Sequence, residues 1–351
     1  MNVLFTGYHN PHYPTVTEYI EEAIRSLGHA LRVIDEGCHI LPGRLRQRSS
    51  FIERIDLQWF NRHILEACDR FRPDLFIALG GERVLPSTVS ALKKRGTRTI
   101  LWTVDPPVHF SPVLCGAPAY DHVFCQGTEA VDILRQRGIK RLTWLPMACA
   151  PAHHYRVNPG PDEGAELSHD VVFVGSHYPV RERFLEGLAD LDLSIWGPGW
   201  DRLRKDSPLK CCVRAAHTPP ELWRKIYAAA KIVLSVHFSD PHGVIPCHQA
   251  SPRVFEAMAC GAFVISDRQR DVLALFREGE HLATAGNPAE LRERVLHYLE
   301  RPGERERMAR SGREEVLRRH TYARRIRILL DEVGLGARGA QETAEAVDGA
   351  G

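Results

Sequence analysis

The chain has 351 residues, of which 44% are hydrophobic and 26% charged, and its formal net charge is +2. This length exceeds one ordinary hydrophobic core and predicts two domains of about 150 residues each. A charge this close to zero gives no field that would attract nucleic acid. No apolar run approaches the roughly 18 residues of a membrane span, and the N-terminus lacks the basic and apolar regions of a signal peptide. The nine cysteines are scattered without the spacing of a zinc site or a disulfide framework. We therefore expect a soluble cytoplasmic protein with no nucleic acid partner and no transmembrane segment.

The first half of the sequence alternates short apolar runs with helical patterns. Strands are predicted at 3–7, 30–34, 74–79, 99–104 and 122–125. The helix after the first strand begins with a capping-box pattern, because Thr15 is followed three residues later by Glu18. A second helical pattern covers 51–71. This alternation of strands and helices predicts a mostly parallel sheet with helices on both faces.

The same alternation restarts in the second half, after a polar segment rich in proline and glycine. The expected domain organisation is a Rossmann-like first domain (1–157), a linker (158–168), a Rossmann-like second domain (169–315), a C-terminal helix that packs back on the first domain (316–335), and a disordered tail (336–351). The predicted fold class is thus α/β, with two doubly wound domains that face a cleft, where open α/β sheets bind ligands.

The segment 251–266 carries the strongest functional signal. Ser251 is placed to cap a helix and Pro252 suits its first position. The positive charge of Arg253 is unfavourable beside the positive end of the helix dipole, and an anionic ligand at the helix start would compensate for it. Glu256, one turn later, is placed to accept hydrogen bonds from ribose hydroxyls, as acidic residues do in dinucleotide folds. The alternative is an ordinary pair of Arg253 and Glu256 at spacing i, i+3 on a surface helix.

Two glycine-ended strands supply further candidate residues for binding an anion. Gly175 ends a strand, and Ser176 with Arg181 follows in the next loop, where amides and a cation can hold phosphates. The alternative for Arg181 is a solvated side chain at a helix start. Gly7 ends the first strand, where glycine permits either close approach of a ligand or a tight turn.

Roughly residues 75–330 resemble the spore-maturation-protein (CgeB-like) glycosyltransferases of the GT-B superfamily. The resemblance rests on segments 102–107, 145–148, 173–176, 196–200, 251–266, 270–272, 275–280, 299–302 and 318–322. It implies that a nucleotide-sugar donor binds mainly to the second domain. It also implies that Glu256 holds the ribose and that the helix start faces the diphosphate.

One position departs from a pattern that many retaining relatives share. They carry two glutamates with seven residues between them, and the first falls here on His248. The sugar contacts of His248 and the retaining or inverting outcome therefore stay open.

We expect no metal. His237, His242, Cys247 and His248 match no common zinc spacing and are interpreted as loop residues near the donor. The formal D-x-D at 190–192 precedes a strand, which puts it at the sheet edge away from the expected site.

A general base is needed if the reaction inverts the sugar, because a base must take the proton of the acceptor hydroxyl. The candidates are Asp105, His109 and His9. Asp105 ends a strand and is followed by two prolines that stiffen the loop. The alternative is that Asp105 caps its own turn.

The sequence therefore predicts a metal-independent glycosyltransferase with a nucleotide-diphosphate-sugar donor. The acceptor is left open among saccharide, protein, lipid and small molecule. The alternative functions are a non-catalytic nucleotide- or sugar-binding coat or assembly protein and a nucleotide-sugar epimerase.

Ten arginines and four glutamates between 301 and 327 predict a solvated helical face, with peripheral membrane contact as the alternative.

Overall fold

A computed structural model describes residues 1–40, 43, 49–105, 111–240 and 242–336. The strands are β1 (Asn2–Gly7), β2 (Ala30–Asp35), β3 (Leu75–Leu79), β4 (Arg98–Trp102), β5 (His122–Cys125), β6 (Leu142–Trp144), β7 (Val171–Val174), β8 (Leu193–Trp196), β9 (Ile232–Ser235), β10 (Val264–Asp267) and β11 (Ala283–Ala285). The helices are α1 (Val16–Ser26), α2 (Ser50–Phe71), α3 (Pro86–Lys94), α4 (Ser111–Gly116), α5 (Thr128–Gln136), α6 (Pro161–Leu167), α7 (Pro179–Glu186), α8 (Pro220–Ala229), α9 (Pro252–Ala259), α10 (Arg270–Leu275), α11 (Pro288–Leu299), α12 (Pro302–Arg319) and α13 (Tyr322–Glu332).

The chain divides into two compact units. The first combines Met1–Leu145 with the C-terminal segment that begins at Tyr322, and the second is Pro146–Thr321. Each unit has its own parallel sheet with helices around it, so the predicted α/β class with two doubly wound domains is confirmed. Among the described residues, no helix has both the length and the apolar character that crossing a membrane requires.

The sheet of the first unit has the strand order β2-β1-β3-β4-β5-β6. All five residues of β3 are buried, because β3 lies inside the sheet and helices cover both faces. Helix α1 begins with the predicted capping box between Thr15 and Glu18. Helix α13 packs against α1, and the rings of Tyr19 and Tyr322 lie 6.2 Å apart.

The sheet of the second unit has the order β11-β10-β9-β7-β8. After β7 the chain continues to β8 on one side, and it then returns to β9 on the other side. The loops that follow β7 and β9 therefore leave the sheet in opposite directions, which opens a crevice between the carboxyl ends of these two strands. Ligands of open α/β sheets bind at such a switch point.

The predicted boundaries and the observed ones differ in two places. The units divide at Leu145/Pro146, before the predicted linker 158–168. Part of that linker forms helix α6, which packs against α8, and Glu163 forms an ion pair with Lys225 (2.6 Å). The predicted C-terminal helix 316–335 overlaps two helices, since residues 316–319 end α12 of the second unit and α13 belongs to the first. All but the first residue of the predicted tail 336–351 lies outside the described residues.

Candidate functional site

The loop after β7 begins at Gly175, which has a φ of +155°. Its amide donates to the carbonyl oxygen of Trp196 (2.7 Å), and its own carbonyl oxygen accepts from Trp200 Nε1 (2.8 Å). A Cβ atom at residue 175 would overlap the guanidinium group of Arg253. Glycine is therefore favoured here, because other residues rarely adopt this φ and because a Cβ would force the guanidinium group of Arg253 to move.

Arg253 is the second residue of α9, directly after Pro252. Its Nε donates to the carbonyl oxygen of Val174, and its guanidinium carbon lies 5.1 Å from the ring centroid of Phe173. Its Nη1 is buried and has no hydrogen-bond partner among the described residues. In that part of the chain no ion pair joins Arg253 to Glu256, so the alternative of an ordinary i, i+3 pair is not observed. A cation with an unsatisfied donor at a helix start favours an anionic ligand.

Arg181 is the third residue of α7 and is buried, which contradicts the alternative of a solvated side chain. Its Nη1 donates to the carbonyl oxygen of Ser176 (2.7 Å) and its Nε to that of Val236 (2.8 Å). Burial lowers the pKa of Arg181 to about 9, and the charge of Arg253 acts in the same direction. The two guanidinium groups flank the same aromatic ring, Phe173, and repel each other. An anion bound beside them would relieve this repulsion.

Glu256 lies one turn along α9 from Arg253, with a fifth of its side chain exposed. Burial raises the pKa of Glu256 to about 7, against the opposing effect of Arg253. Its carboxylate accepts no hydrogen bond from the residues that the structure describes. Both oxygens are therefore available to a ligand that carries hydroxyl groups, as a ribose does.

His154 faces this carboxylate and is completely buried. Its Nε2 lies 3.9 Å from Glu256 Oε1. Its Nδ1 accepts from the amide of Ala150 (3.0 Å), which assigns the hydrogen to Nε2. Burial lowers the pKa of His154 to about 3, so the ring is neutral at physiological pH. The ring therefore borders Glu256 without supplying a compensating charge.

Two predicted residues near α9 have less distinct surroundings. Ser251 is the N-cap residue, but its side chain does not accept the expected capping hydrogen bond, and its Oγ is buried without a partner among the described residues. Its position was predicted correctly, while its capping interaction was not. His248 is half-buried, and its carbonyl oxygen accepts from the amide of Asp271 (3.1 Å). Its role toward a sugar stays a prediction.

The sequence interpretation missed several residues of this site. It gave no role to Trp200, His154 or Asp267, and it treated His237 only as a loop residue. His237 Nδ1 lies 2.5 Å from Asp267 Oδ1, and both side chains are buried. For His237 and Asp267 the available signal was position, because polar residues at or just after the ends of neighbouring parallel strands meet at one sheet edge.

A cavity of about 440 Å³ opens beside α7, among His177, Tyr178 and Phe238. Arg181 and Arg253 do not line it. The two arginines therefore belong to a separate feature of the same sheet edge, close to the backbone of β7 and α9.

Two predicted residues of the first unit have structural surroundings that bear on their roles. A Cβ at Gly7 would lie 2.9 Å from Thr17 Cγ2, so packing against α1 is sufficient to require glycine. His9 Nε2 lies 2.5 Å from Glu21 Oε1, and the amide of His9 donates to Asp35 (3.1 Å). Burial alone would lower the pKa of His9, but these two carboxylates raise it. A protonated His9 is a poor general base.

The remaining candidate bases and the formal metal motif lie elsewhere. Asp105 is exposed and follows β4, while His109 lies outside the described residues. At the amino end of β8, Asp190 pairs with Arg292 (2.6 Å) and Asp192 with His169 (2.6 Å). Among the described residues, no group of three His, Cys, Asp or Glu side chains is arranged to hold a metal ion.

Comparisons with known proteins agree with the predicted resemblance. Residues 181–331 match the family described as glycosyl transferase-like. The spore protein CgeB of Bacillus subtilis (strain 168) is 21% identical over 267 residues, which cover 72% of this chain and 81% of CgeB.

Solved structures show the same fold at low identity. The sucrose-phosphate synthase of Thermosynechococcus elongatus superposes with a TM-score of 0.67 and 13% identity, over 98% of this chain and 99% of that one. Anabaena HepE, in complex with UDP and glucose, superposes with a TM-score of 0.61 and 14% identity, over 99% and 100%. A putative UDP-N-acetylglucosamine 2-epimerase from Listeria monocytogenes gives 0.59 and 13%, over 93% and 94%. The resemblance predicted from the sequence motifs is therefore confirmed: the chain has the GT-B glycosyltransferase fold, its residues 181–331 match the glycosyl transferase-like family, and most of its length is similar to CgeB.

Proposed function

We propose that this protein transfers a sugar from a nucleotide-diphosphate donor to a hydroxyl-bearing acceptor without a metal ion. The observation that carries the proposal is the pair of Arg181 and Arg253, two cations without an ion-pair partner in the described part of the chain. Both lie against the backbone around Gly175, and Arg253 is one helical turn from Glu256. The arginines match a diphosphate, and the carboxylate matches a ribose.

The proposed reaction forms one bond and breaks one. An acceptor oxygen bonds to the anomeric carbon of the sugar, and the bond from that carbon to the distal phosphate oxygen breaks. The electron pair stays on the phosphate, and the acceptor's proton passes to a base or to the leaving phosphate. Arg181 and Arg253 would stabilise the charge that develops on the leaving group, which is the usual task of cations in such transfers. Asp105 remains the proposed base if the reaction inverts the sugar.

A uridine nucleotide is the first candidate donor, because HepE has been solved with UDP and with UDP-glucose on the same fold. The acceptor is proposed only by class, as a saccharide, protein, lipid or small molecule. An epimerase is the second candidate, because a putative UDP-N-acetylglucosamine 2-epimerase from Listeria monocytogenes shares the fold. An epimerase would act on the nucleotide sugar without any acceptor.

The test is a thermal-shift screen of the purified protein against UDP, GDP, TDP, CMP and their common sugar conjugates, with and without EDTA. We expect one diphosphate family to raise the unfolding temperature equally in both conditions, because arginines rather than a metal hold the phosphates. No shift with any nucleotide would favour the non-catalytic alternative. Nuclear magnetic resonance of the stabilising nucleotide sugar, incubated without acceptor, then separates an epimerase from a transferase.

A further inference from the structure

His237 and Asp267 form a buried pair at the same sheet edge as the two arginines. His237 is 1% exposed, and both its Nδ1 (2.5 Å) and its amide (3.0 Å) are bound to Asp267 Oδ1. Gln269 Nε2 donates to the second oxygen of Asp267 (2.7 Å). The imidazole is therefore fixed in orientation, with Nδ1 committed to Asp267. Its Nε2 is buried and has no hydrogen-bond partner among the described residues.

The strand register places this pair beside the loop that begins at Gly175. Phe173 of β7 pairs with Leu234 of β9, and Ser176 and His237 each lie two residues beyond the ends of these neighbouring strands. Arg181 joins the two loops, because it donates both to Ser176 and to Val236, the residue before His237. His237 therefore lies at the switch point of the sheet, on the β9 side of Arg181.

Two charged groups lie next to His237, and a third lies beside one of them. Asp267 ends β10 and is bound to His237, Arg181 of α7 donates to the carbonyl oxygen of the preceding residue, and Arg253 of α9 shares the ring of Phe173 with Arg181. Burial acts to raise the pKa of Asp267, but His237 and Gln269 outweigh it and the pKa is lowered. Asp267 thus stays ionised, so that Nδ1 of His237 is the donor in the bond between the two side chains. With Nδ1 donating to Asp267, Nε2 is an acceptor when His237 is neutral and a donor only when it is protonated.

We propose that His237 is a third ligand of the donor diphosphate, whose Nε2 takes up a proton as the diphosphate binds and donates a hydrogen bond to its terminal phosphate. This inference rests on the proposed donor site. Asp267 is then a positioning residue, since it orients the ring and stabilises the imidazolium. Binding of a nucleoside diphosphate should be coupled to proton uptake, and binding of the monophosphate should not.

Two substitutions separate the two nitrogen atoms of the ring. In His237→Gln the side-chain amide reaches the position of Nε2, so a donor is kept that cannot titrate. In His237→Asn the amide reaches the position of Nδ1, so the bond to Asp267 is kept and Nε2 is removed. Thermal unfolding of both variants establishes that they fold, and the full chain is used throughout.

The test is titration calorimetry at about pH 7.5 in two buffers of different ionisation enthalpy, which reports the protons taken up on binding. The ligands are the diphosphate among UDP, GDP and TDP that stabilises the protein most, and the corresponding monophosphate. We expect wild type to take up more protons than His237→Gln on binding the diphosphate. Titration of the nucleotide and of Glu256 contributes equally in both proteins, so the difference reports residue 237. We expect His237→Asn to lose about tenfold or more in diphosphate affinity and little in monophosphate affinity.

Equal proton uptake by wild type and His237→Gln would overturn the proposal. So would equal losses of mono- and diphosphate affinity in His237→Asn. If the nucleotide still binds and binding still depends on Glu256, these results refute only the role of His237. If folded wild type binds none of the nucleotides, the proposed function and this inference both fail.

Discussion

The guanidinium group of Arg253 lies so close to the backbone of Gly175 that a Cβ at residue 175 would overlap it. Helix α9 thus supplies the cation, and the glycine that follows strand β7 leaves the space that this cation occupies. Trp200, which donates to the carbonyl oxygen of Gly175 (2.8 Å), holds this loop in place from a third direction. The proposed anion site therefore depends on a glycine that need not touch the ligand itself.

We expect Gly175→Ala to lower stability by about 1–3 kcal/mol, since the new Cβ meets Arg253 in a backbone conformation that side chains rarely adopt. The displaced arginine should also weaken nucleotide binding. Thermal unfolding and a nucleotide titration measure the two effects. Gly187→Ala is the matched control, because Gly187 has a φ of −68° and open space around its Cβ position. A loss of stability as large in the control would contradict this account.

Replacing Arg253 with Met should separate binding from stability. Methionine retains the packing against Phe173 but removes a charge that repels Arg181. It also removes the hydrogen bond from Nε to the carbonyl oxygen of Val174, which offsets that relief. The unfolding temperature without ligand should therefore change little, while nucleoside-diphosphate affinity falls by about 10- to 100-fold. Arg310→Met, at an exposed position of α12, is the control and should change neither quantity. Unchanged diphosphate affinity in Arg253→Met would remove Arg253 from the site.

Glu256→Gln should change the pH dependence of stability. Folding raises the pKa of Glu256 from 4.5 to about 7, so the wild-type protein loses stability as pH rises through this window. The loss is complete above about pH 7 and amounts to up to about 3 kcal/mol. The side-chain amide of the variant cannot ionise, so the variant should be more stable than wild type at about pH 8 but not at about pH 5. Urea unfolding at both pH values measures this difference.

Glu36 provides a matched control for this experiment. Burial raises its pKa to about 7 as well, but it lies in the first unit, next to β2. Glu36→Gln should show the same trend with pH and leave nucleotide affinity unchanged. Glu256→Gln should weaken nucleotide binding, because Gln replaces one acceptor oxygen by a donor. Equal nucleotide affinity in the two variants would contradict the proposed ribose contact.

Asp105→Asn tests the proposed base. The exposed carboxylate of Asp105 follows β4. The side-chain amide that replaces it in the variant cannot take a proton from an acceptor hydroxyl. Once an acceptor is known, we expect turnover to fall by about 10²- to 10⁴-fold with donor affinity unchanged. His9→Gln should have a much smaller effect, because the carboxylates of Glu21 and Asp35 raise the pKa of His9 and favour its protonated form. Wild-type turnover in Asp105→Asn would exclude it from the mechanism.

Much of the fold follows from local patterns in the sequence. The capping box at Thr15 and Glu18 and the apolar runs of β1, β3 and β7 are each set by residues within one element. The strands β6 and β11 were not predicted, because three residues are too few to show a period. Helix α6 was interpreted as linker because its start is rich in proline and glycine, and its packing against α8 is a tertiary effect.

The sequence by itself determined the α/β class, the positions of Arg181, Arg253 and Glu256 on their helices, and the resemblance to CgeB-like glycosyltransferases. These depend on short-range periodicity, on helix-start signals and on segments that can be read along the chain. Only the tertiary structure decided that Arg181 is buried and shares the ring of Phe173 with Arg253, and that His237 and Asp267 form a pair. Such contacts depend on strand order and register, and those are fixed by packing between segments that are far apart in the sequence.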